Sequence, residues 1–456
     1  MRELFSFLSE ERVLVDKEDL LLYSYDATPS RRYPIAVVRP VSTEEVVEIV
    51  KVASRKRIPL VARGAGTSLS GAPLPCEGCI VVDFSLMDEI IEVDEVNAFV
   101  AVQPGVVYEA LNRELAKHGL FFPPDPGSGS VCTIAGMVAM NSSGIRAVKY
   151  GTTRDYVASL EVVLGTGRVV KLGGRYKKSS SGYDLKSLFV GSEGTLGLFT
   201  EIGLRVIPRP NHHAAMIAHF DDFTEAGKAI TQAMAKRLDV AVLEVMDSLV
   251  VEAVESFSGI NLGSAEALVL AEVEGFDANV KEEIRRIAQV FTRRGAKVEL
   301  AFDEAEIARL WRARKAALPA LARLASTLLL EDITVPVSAL PEMMRRIRGI
   351  GQRHNIRIAT FGHAGDGNLH PTFLVENEEE MRRVSAAIEE LFRECLSLGG
   401  TLSGEHGIGT EKRRYFELEH GYATQVMREI KRALDPKNIL NPGKIFYGRQ
   451  AYFKLR

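Results

Sequence analysis

Several features that mark whole protein classes are missing from this sequence. Cysteine is scarce: Cys76, Cys79, Cys132 and Cys395 are the only thiols in 456 residues, and they form no paired clusters. That excludes an iron–sulfur or structural zinc centre built by cysteines, so any iron–sulfur relay must sit on another polypeptide. Cys76-Glu-Gly-Cys79 is a lone CxxC in a loop, read as incidental, with a labile disulfide as the alternative. Long apolar runs are missing too. The opening MRELFSFLSEERVLVDKEDL puts charge into every turn, which excludes a secretory signal, and no stretch is apolar enough for a transmembrane helix. The expected location is cytoplasmic, free or peripheral to a membrane. Nor does one sign of charge dominate. Lys plus Arg number 57 against 60 Asp plus Glu, a net charge of −3, which argues against a nucleic-acid partner.

What is present is glycine-dense backbone, between elements of a chain long enough for two or three domains. Ser42-Thr-Glu-Glu45 opens a helix, with a hydroxyl cap and a stripe of Val46, Val47, Ile49 and Val50. A short strand, Leu60 to Ala62, runs into RGAGTSLSGAP, Arg63 to Pro73. Here main-chain N–H groups and the hydroxyls of Thr67, Ser68 and Ser70 form an anion cradle without Cβ obstruction. It is neither a Walker loop nor the dinucleotide fingerprint. Strands are expected at 79–83, 90–94 and 98–103, a helix at 107–118, and a hairpin from 160–164 and 169–172. From about Pro210 glycine thins out, and strand, helix and strand alternate twice: 214–219, 223–236, 240–246, then 268–273 and 278–294.

Two later segments carry titratable groups. In FGHAGDGNLH, a two-residue turn at Asp366-Gly367 would set Gly365 opposite Asn368 and His363 opposite His370. Opposed Cβ atoms lie about 4.5–5.5 Å apart, so both rings could reach one divalent ion. A turn flanked by two backbone-bonded histidines is the alternative reading. SGEHGIG offers Glu405 as an oxygen ligand and His406 as a base. Adjacent residues of an extended strand point oppositely, so this segment must bend, which Gly404 and Gly407 permit. A His363, His370, Glu405 set suits zinc, manganese or iron alike. His212, His213, His219 and His354 are assigned to structure or surface.

RGAGTSLSGAP, PPDPGS, TIAGMVAMNSSG, KYGTTRDYV and GSEGTLGLFTEIGLRVIP occur in that order, and together resemble the FAD-binding domain of the vanillyl-alcohol-oxidase/p-cresol-methylhydroxylase flavoproteins. HAGDGNLH, SGEHGIG and LDPKNILNPGKIF narrow the resemblance to the D-2-hydroxyacid dehydrogenase branch, across nearly the whole chain. That branch includes D-lactate dehydrogenases, the glycolate oxidase D subunit and D-2-hydroxyglutarate dehydrogenase. The resemblance implies an α+β fold: an FAD-binding domain at 1–209, a substrate or cap domain at 210–422 with an antiparallel sheet and helices on one face, and a segment at 423–456 returning to the FAD domain. It further implies that Arg63, Gly64, Ala65, Gly66, Thr67, Ser70 and Gly71 hold the FAD pyrophosphate. Pro124, Asp125, Thr133, Gly136, Asn141, Gly144 and Tyr150 would line the flavin or its linker, Glu193, Gly197 and Ile202 the adenine-ribitol side, and Asn441 the isoalloxazine. No histidine or cysteine stands at the expected tethering places, so the FAD is expected to be noncovalent.

The implied reaction removes a hydride from C2 of a small 2-hydroxy acid, to flavin N5, and a proton from its hydroxyl. A metal at His363, His370 and Glu405 would stabilise alkoxide charge, and His406 would take the proton. The resemblance assigns the substrate carboxylate to Arg314, with Arg312 and Lys315 as rivals and a solvated basic helix face as the bland reading. Thr372 stands where some relatives have asparagine, which favours D-lactate or glycolate over a long dicarboxylate. Electrons would pass to a quinone, an electron-transfer flavoprotein or an iron–sulfur subunit. Two other classes fit some of these features: a metal-dependent hydrolase, which leaves the glycine loops without a cofactor, and a flavin-carrying electron-transfer subunit without its own substrate site.

Overall fold

The computed structural model describes residues 4, 6–263 and 265–447. The chain divides into two compact units. One comprises Met1–Ser143, Thr152–Arg209 and Glu405–Arg456, the other Gly144–Gly151 and Pro210–Gly404.

Among the described residues the first unit holds two larger sheets and a two-stranded pair, Leu120–Phe121 with Ile207–Pro208. Strands β1 (Val13–Leu14), β2 (Ala36–Val38), β3 (Leu60–Arg63) and β4 (Ile80–Asp83) are ordered β1-β2-β4-β3, with β2 and β3 both parallel to β4. Helix α1 (Thr43–Lys56) makes the crossover from β2 to β3. Ser42 caps it as expected, accepting from Glu45 N at 3.4 Å, and Val46, Ile49, Val50 and Ala53 bury its stripe against Ala36, Val38, Leu60, Ile80 and Val82. Among the described residues before 35, β1 is flanked by a 3-10 turn at Glu10–Arg12 and a short helix at Lys17–Leu22, and Pro29 and Pro34 keep the chain extended beyond them. The second sheet is antiparallel, ordered β5-β6-β9-β7-β8: β5 (Ile90–Asp94), β6 (Phe99–Val102), β7 (Val157–Val163), β8 (Val169–Gly173) and β9 (Leu198–Arg205). The expected hairpin is β7 with β8, Val163 opposite Val169. The C-terminal segment extends the first sheet: Leu60 N donates to Ile439 O and Asn441 N to Leu60 O, both at 2.7 Å.

The second unit is built on one sheet ordered β13-β10-β12-β11-β15-β16-β14. Its strands are β10 (His212–Phe220), β11 (Val242–Asp247), β12 (Ala267–Gly275), β13 (Lys297–Ala301), β14 (Thr327–Leu330), β15 (Arg357–His363) and β16 (Asn368–Val375), and a short eighth strand, Ile333–Thr334, pairs with β16. Neighbouring strands along this order are antiparallel, as expected. The helices do not keep to the one expected face. Helices α2 (Ser248–Ser258) and α3 (Glu304–Lys315) cover Ala215, Ile217, Leu268, Leu270 and Phe361. On the other face Phe220 meets Phe291 of the helix Val280–Thr292, ring centroids 5.9 Å apart. The reason lies in β12 and β16, which are buried at every position but Gly275; strands apolar on both sides must be covered twice.

Candidate active site

In the first unit, β3 delivers Arg63 into the glycine loop. Arg63 is buried, donates from Nη1 to Tyr25 O at 2.8 Å and lies 5.6 Å from the Tyr23 ring, so it braces the loop from behind. Burial lowers its pKa, against the pull of Asp26 and nearby groups. The loop packs without room for side chains: a Cβ on Gly64 would stand 2.2 Å from Thr133 Oγ1, and one on Gly71 (φ +80°) 2.1 Å from Thr410 Oγ1. Thr133 also accepts from Gly136 N at 3.2 Å, capping the short helix Ile134–Met140. Ser70 is buried, its Oγ 3.1 Å from Ser68 Oγ, and its carbonyl accepts from Thr410 N and Glu411 N.

Glu193 and Asn441 tie this loop to the returning segment. Glu193 (φ +53°) is buried and accepts from Ile408 N at 2.7 Å and Gly409 N at 2.8 Å; burial raises its pKa, the two amides oppose that. Asn441 Nδ2 donates to Ala72 O and Glu193 O, while its buried Oδ1 and the buried Ser192 Oγ have no hydrogen-bond partner. Glu405 and His406 open the last stretch of this unit, which begins at Glu405 rather than at the expected 423. It bends as required, with Gly407 at φ +80°, so that Glu405 Oε1 is 3.5 Å from His406 Nε2 and Ser143 Oγ donates to Glu405 Oε2 at 3.2 Å.

In the second unit, strand alternation sets His213, Glu272, Glu274, Glu244, His363 and His370 on the face that elsewhere carries Ala215, Leu270, Met246 and Phe361. The expected hairpin register is corrected by two residues: His370 stands opposite Phe361, not opposite His363. The connection spans Ala364 to Gly367, held by Gly365 N to Leu243 O and Val335 N to Gly367 O, each 3.1 Å, so Asp366-Gly367 alone does not make the turn. A shift of two keeps side chains on the same face. The imidazoles therefore still meet, as a diagonal pair with ring centroids 5.2 Å apart and planes at 88°.

Behind these rings stand carboxylates. Glu244 is fully buried and grips two groups at once: His363 Nδ1 donates to Oε1 and Arg314 Nε to Oε2, both at 2.6 Å. Burial raises its pKa, but Arg314 and His363 outweigh that and hold it below the usual carboxylate range. Arg314 is buried over the Phe361 ring, 4.8 Å from its centroid, whereas its rivals Arg312 and Lys315 are exposed. Asp332, also buried, accepts from Asn368 Nδ2 at 2.7 Å and Ser403 Oγ at 2.6 Å, with Oδ1 3.8 Å from His370 Nδ1. Further along, Glu272 lies 3.0 Å from His213 Nδ1, and Arg146 pairs with both Glu272 and Glu274.

Of the residues expected at the site, Arg63 to Gly71, Pro124, Asp125, Thr133, Gly136, Asn141, Glu193, Gly197, Ile202, Glu405, His406 and Asn441 lie in the first unit. Gly144, Tyr150, Arg314, His363 and His370 lie in the second. Some carry structural duties. Asn141 Oδ1 accepts from Thr152 Oγ1 and Arg154 N, Ile202 is core, Gly197 makes room for Val162, and Tyr150 hydrogen-bonds Glu274. Sequence reasoning missed Glu244, Asp332, Glu272, Glu274 and Arg146. The available signal was a carboxylate inside an apolar strand, as in VLEVMD and LAEVEG, which burial makes costly unless it is paired.

Residues 209–445 match the C-terminal domain of FAD linked oxidases, and residues 34–173 match an FAD binding domain. The chain belongs to the FAD-linked oxidase family. It is 43% identical over 432 residues to the glycolate oxidase subunit GlcD of Bacillus subtilis, covering 93% of this chain and 92% of that protein. It is 40% identical over 433 residues to a D-lactate dehydrogenase of Archaeoglobus fulgidus, covering 93% and 95%. The fold is that of p-cresol methylhydroxylase, with a TM-score of 0.80 at 17% identity, over 97% of this chain and 95% of that one. The FAD implied by the FAD-linked oxidase family fits the first unit: the unpartnered Asn441 Oδ1 and Ser192 Oγ offer buried polar atoms to a ligand beside a loop rich in main-chain donors. Among the described residues, no helix is long and apolar enough to cross a membrane.

Proposed function

We propose that this FAD-linked oxidase oxidises a small D-2-hydroxy acid, D-lactate or glycolate, to the 2-oxo acid. The observation that carries the reading is Glu244, one buried carboxylate gripping both Arg314 and His363. With Nε engaged, Arg314 turns its terminal nitrogens to a substrate carboxylate. With Nδ1 engaged, His363 addresses a metal through Nε2. His370 and Glu405 complete the proposed ligand set, and His406 takes the hydroxyl proton. When bound, noncovalent FAD supplies the hydride acceptor and a divalent zinc, manganese or iron ion the Lewis acid. The loop Arg63 to Gly71 and Asn441 hold the FAD.

A small substrate is supported by Thr372, which is fully buried and donates its hydroxyl back to His370 O at 3.3 Å, leaving little to greet a second carboxylate. The names of the two relatives, a glycolate oxidase subunit and a D-lactate dehydrogenase, agree with this class. The word subunit also favours a protein partner as electron acceptor, an iron–sulfur subunit or electron-transfer flavoprotein, with a quinone as the small-molecule equivalent. A cytoplasmic location suits such exchange.

Anaerobic addition of D-lactate or glycolate should bleach the flavin absorbance. A spectrum that stays oxidised across a panel of 2-hydroxy acids sinks the proposal and leaves an electron-transfer subunit. His406→Ala should retain FAD yet lose the bleaching. In a His363→Ala, His370→Ala double variant, metal measured by elemental analysis should disappear, and undiminished metal would remove the ligand assignment.

A further inference from the structure

The oxidation proposed above makes no use of Cys76 and Cys79. Both are free thiols. Cys76-Glu77-Gly78-Cys79 is a closed turn, Cys79 N donating to Cys76 O at 3.2 Å, with Gly78 at φ +69°. Such a turn keeps its first and last Cα atoms within about 7 Å. A disulfide spans roughly 4.4–6.8 Å between Cα atoms, so the backbone already stands near the required geometry. The Cys79 side chain turns back towards Cys76, its Sγ accepting from Cys76 N at 3.2 Å.

Their surroundings are unequal. Cys79 is fully buried among Val37, Val61 and Val81, whereas Cys76 is half-buried beside exposed Glu77 and half-buried Gly78, whose Cα has nothing nearby on the side a Cβ would take. The hydrogen bond from Cys79 lowers the Cys76 pKa, with help from Lys444 and Arg32 against the opposing effect of burial. The same bond and burial raise that of Cys79. Lys444 also donates to Gly71 O at 2.6 Å and Leu74 O at 2.8 Å, so the pair adjoins the end of the glycine loop.

We propose that Cys76 and Cys79 form a redox-active dithiol that exchanges with low-molecular-weight disulfides. Cys76 Sγ attacks one sulfur of RS–SR; that bond breaks, a mixed disulfide forms, and the departing thiolate takes up the Cys76 proton. Cys79 Sγ then attacks the Cys76 sulfur, the mixed disulfide breaks, and the second thiolate leaves with the Cys79 proton. Two electrons pass from the protein to the reagent, giving one intramolecular disulfide and two small thiols.

The test treats the full-length purified protein, reduced and kept anaerobic, with glutathione disulfide, followed by iodoacetamide labelling and peptide mapping. The alkylatable thiols of the denatured chain should fall from four to two, through a Cys76–Cys79 bond that dithiothreitol reverses, with Cys132 and Cys395 unchanged. Cys79→Ser should trap one glutathione on Cys76, and Cys76→Ser should trap none. Four alkylatable thiols after prolonged incubation of the wild type overturn the proposal, and so does glutathione that accumulates on Cys76 while Cys79 remains free. The wild-type result stands without either variant.

Discussion

The glycine loop at Arg63 to Pro73 and the charged face of the large sheet solve opposite problems. The loop works by omission: at Gly64 and Gly71 a single methyl would collide with a threonine hydroxyl, so the path of the main chain depends on missing side chains. The sheet face works by commission, placing Glu244, His363 and His370 where a strand would otherwise carry Leu or Val, and setting Arg314 of α3 and the loop residue Asp332 against them. Backbone cradles tolerate no added volume. Buried charge networks tolerate no lost partner.

The sharpest way to break that contrast is to add volume to the loop. Gly64→Val should yield protein without bound flavin, read from its visible absorbance, whereas Gly127→Ala, where a Cβ meets nothing within 4 Å, should keep it. Removing a partner from the sheet face comes next. Glu244→Ala leaves Arg314 buried and unpaired and should cost about 3–5 kcal/mol of stability in denaturant unfolding; an unchanged midpoint would show that water replaces the carboxylate. A change of shape with charge retained is milder. Arg314→Lys should raise KM for the hydroxy acid roughly 10- to 100-fold, as expected for about 1.5–3 kcal/mol from a charged hydrogen bond, with a smaller effect on kcat. The smallest expected effect is a slope. Burial pushes the Lys444 ammonium down to about 8, so between that pH and its ordinary value the unfolded chain binds the extra proton and stability rises with pH. Lys444→Met should flatten that rise in unfolding curves measured above pH 8, and an identical slope would mean that the ammonium is not desolvated.

The two regions also differed in legibility. The loop and its hydroxyls could be read as an anion cradle because glycine spacing is a local property. Ser42 announced its helix for the same reason, a cap being satisfied within one turn. The hairpin at His363 was legible in kind but not in register, since contacts from Leu243 and Val335 set its connection. Glu244 and Asp332 were overlooked because a lone acid in an apolar strand has no local partner to mark it. The second helical layer escaped notice as well, although the burial of β16 throughout and of β12 at all but its last residue requires it.

The order of the glycine-rich and histidine-bearing segments, and with it the family, was determined by the amino-acid sequence alone, because these features depend on neighbours a few residues apart. The tertiary structure alone decided which carboxylate holds which cation, which of three basic residues on one helix is buried, and that two imidazoles meet diagonally. Those outcomes rest on desolvation and on pairing between strands and helices distant in the chain, and no stretch of sequence contains both halves of such a pair.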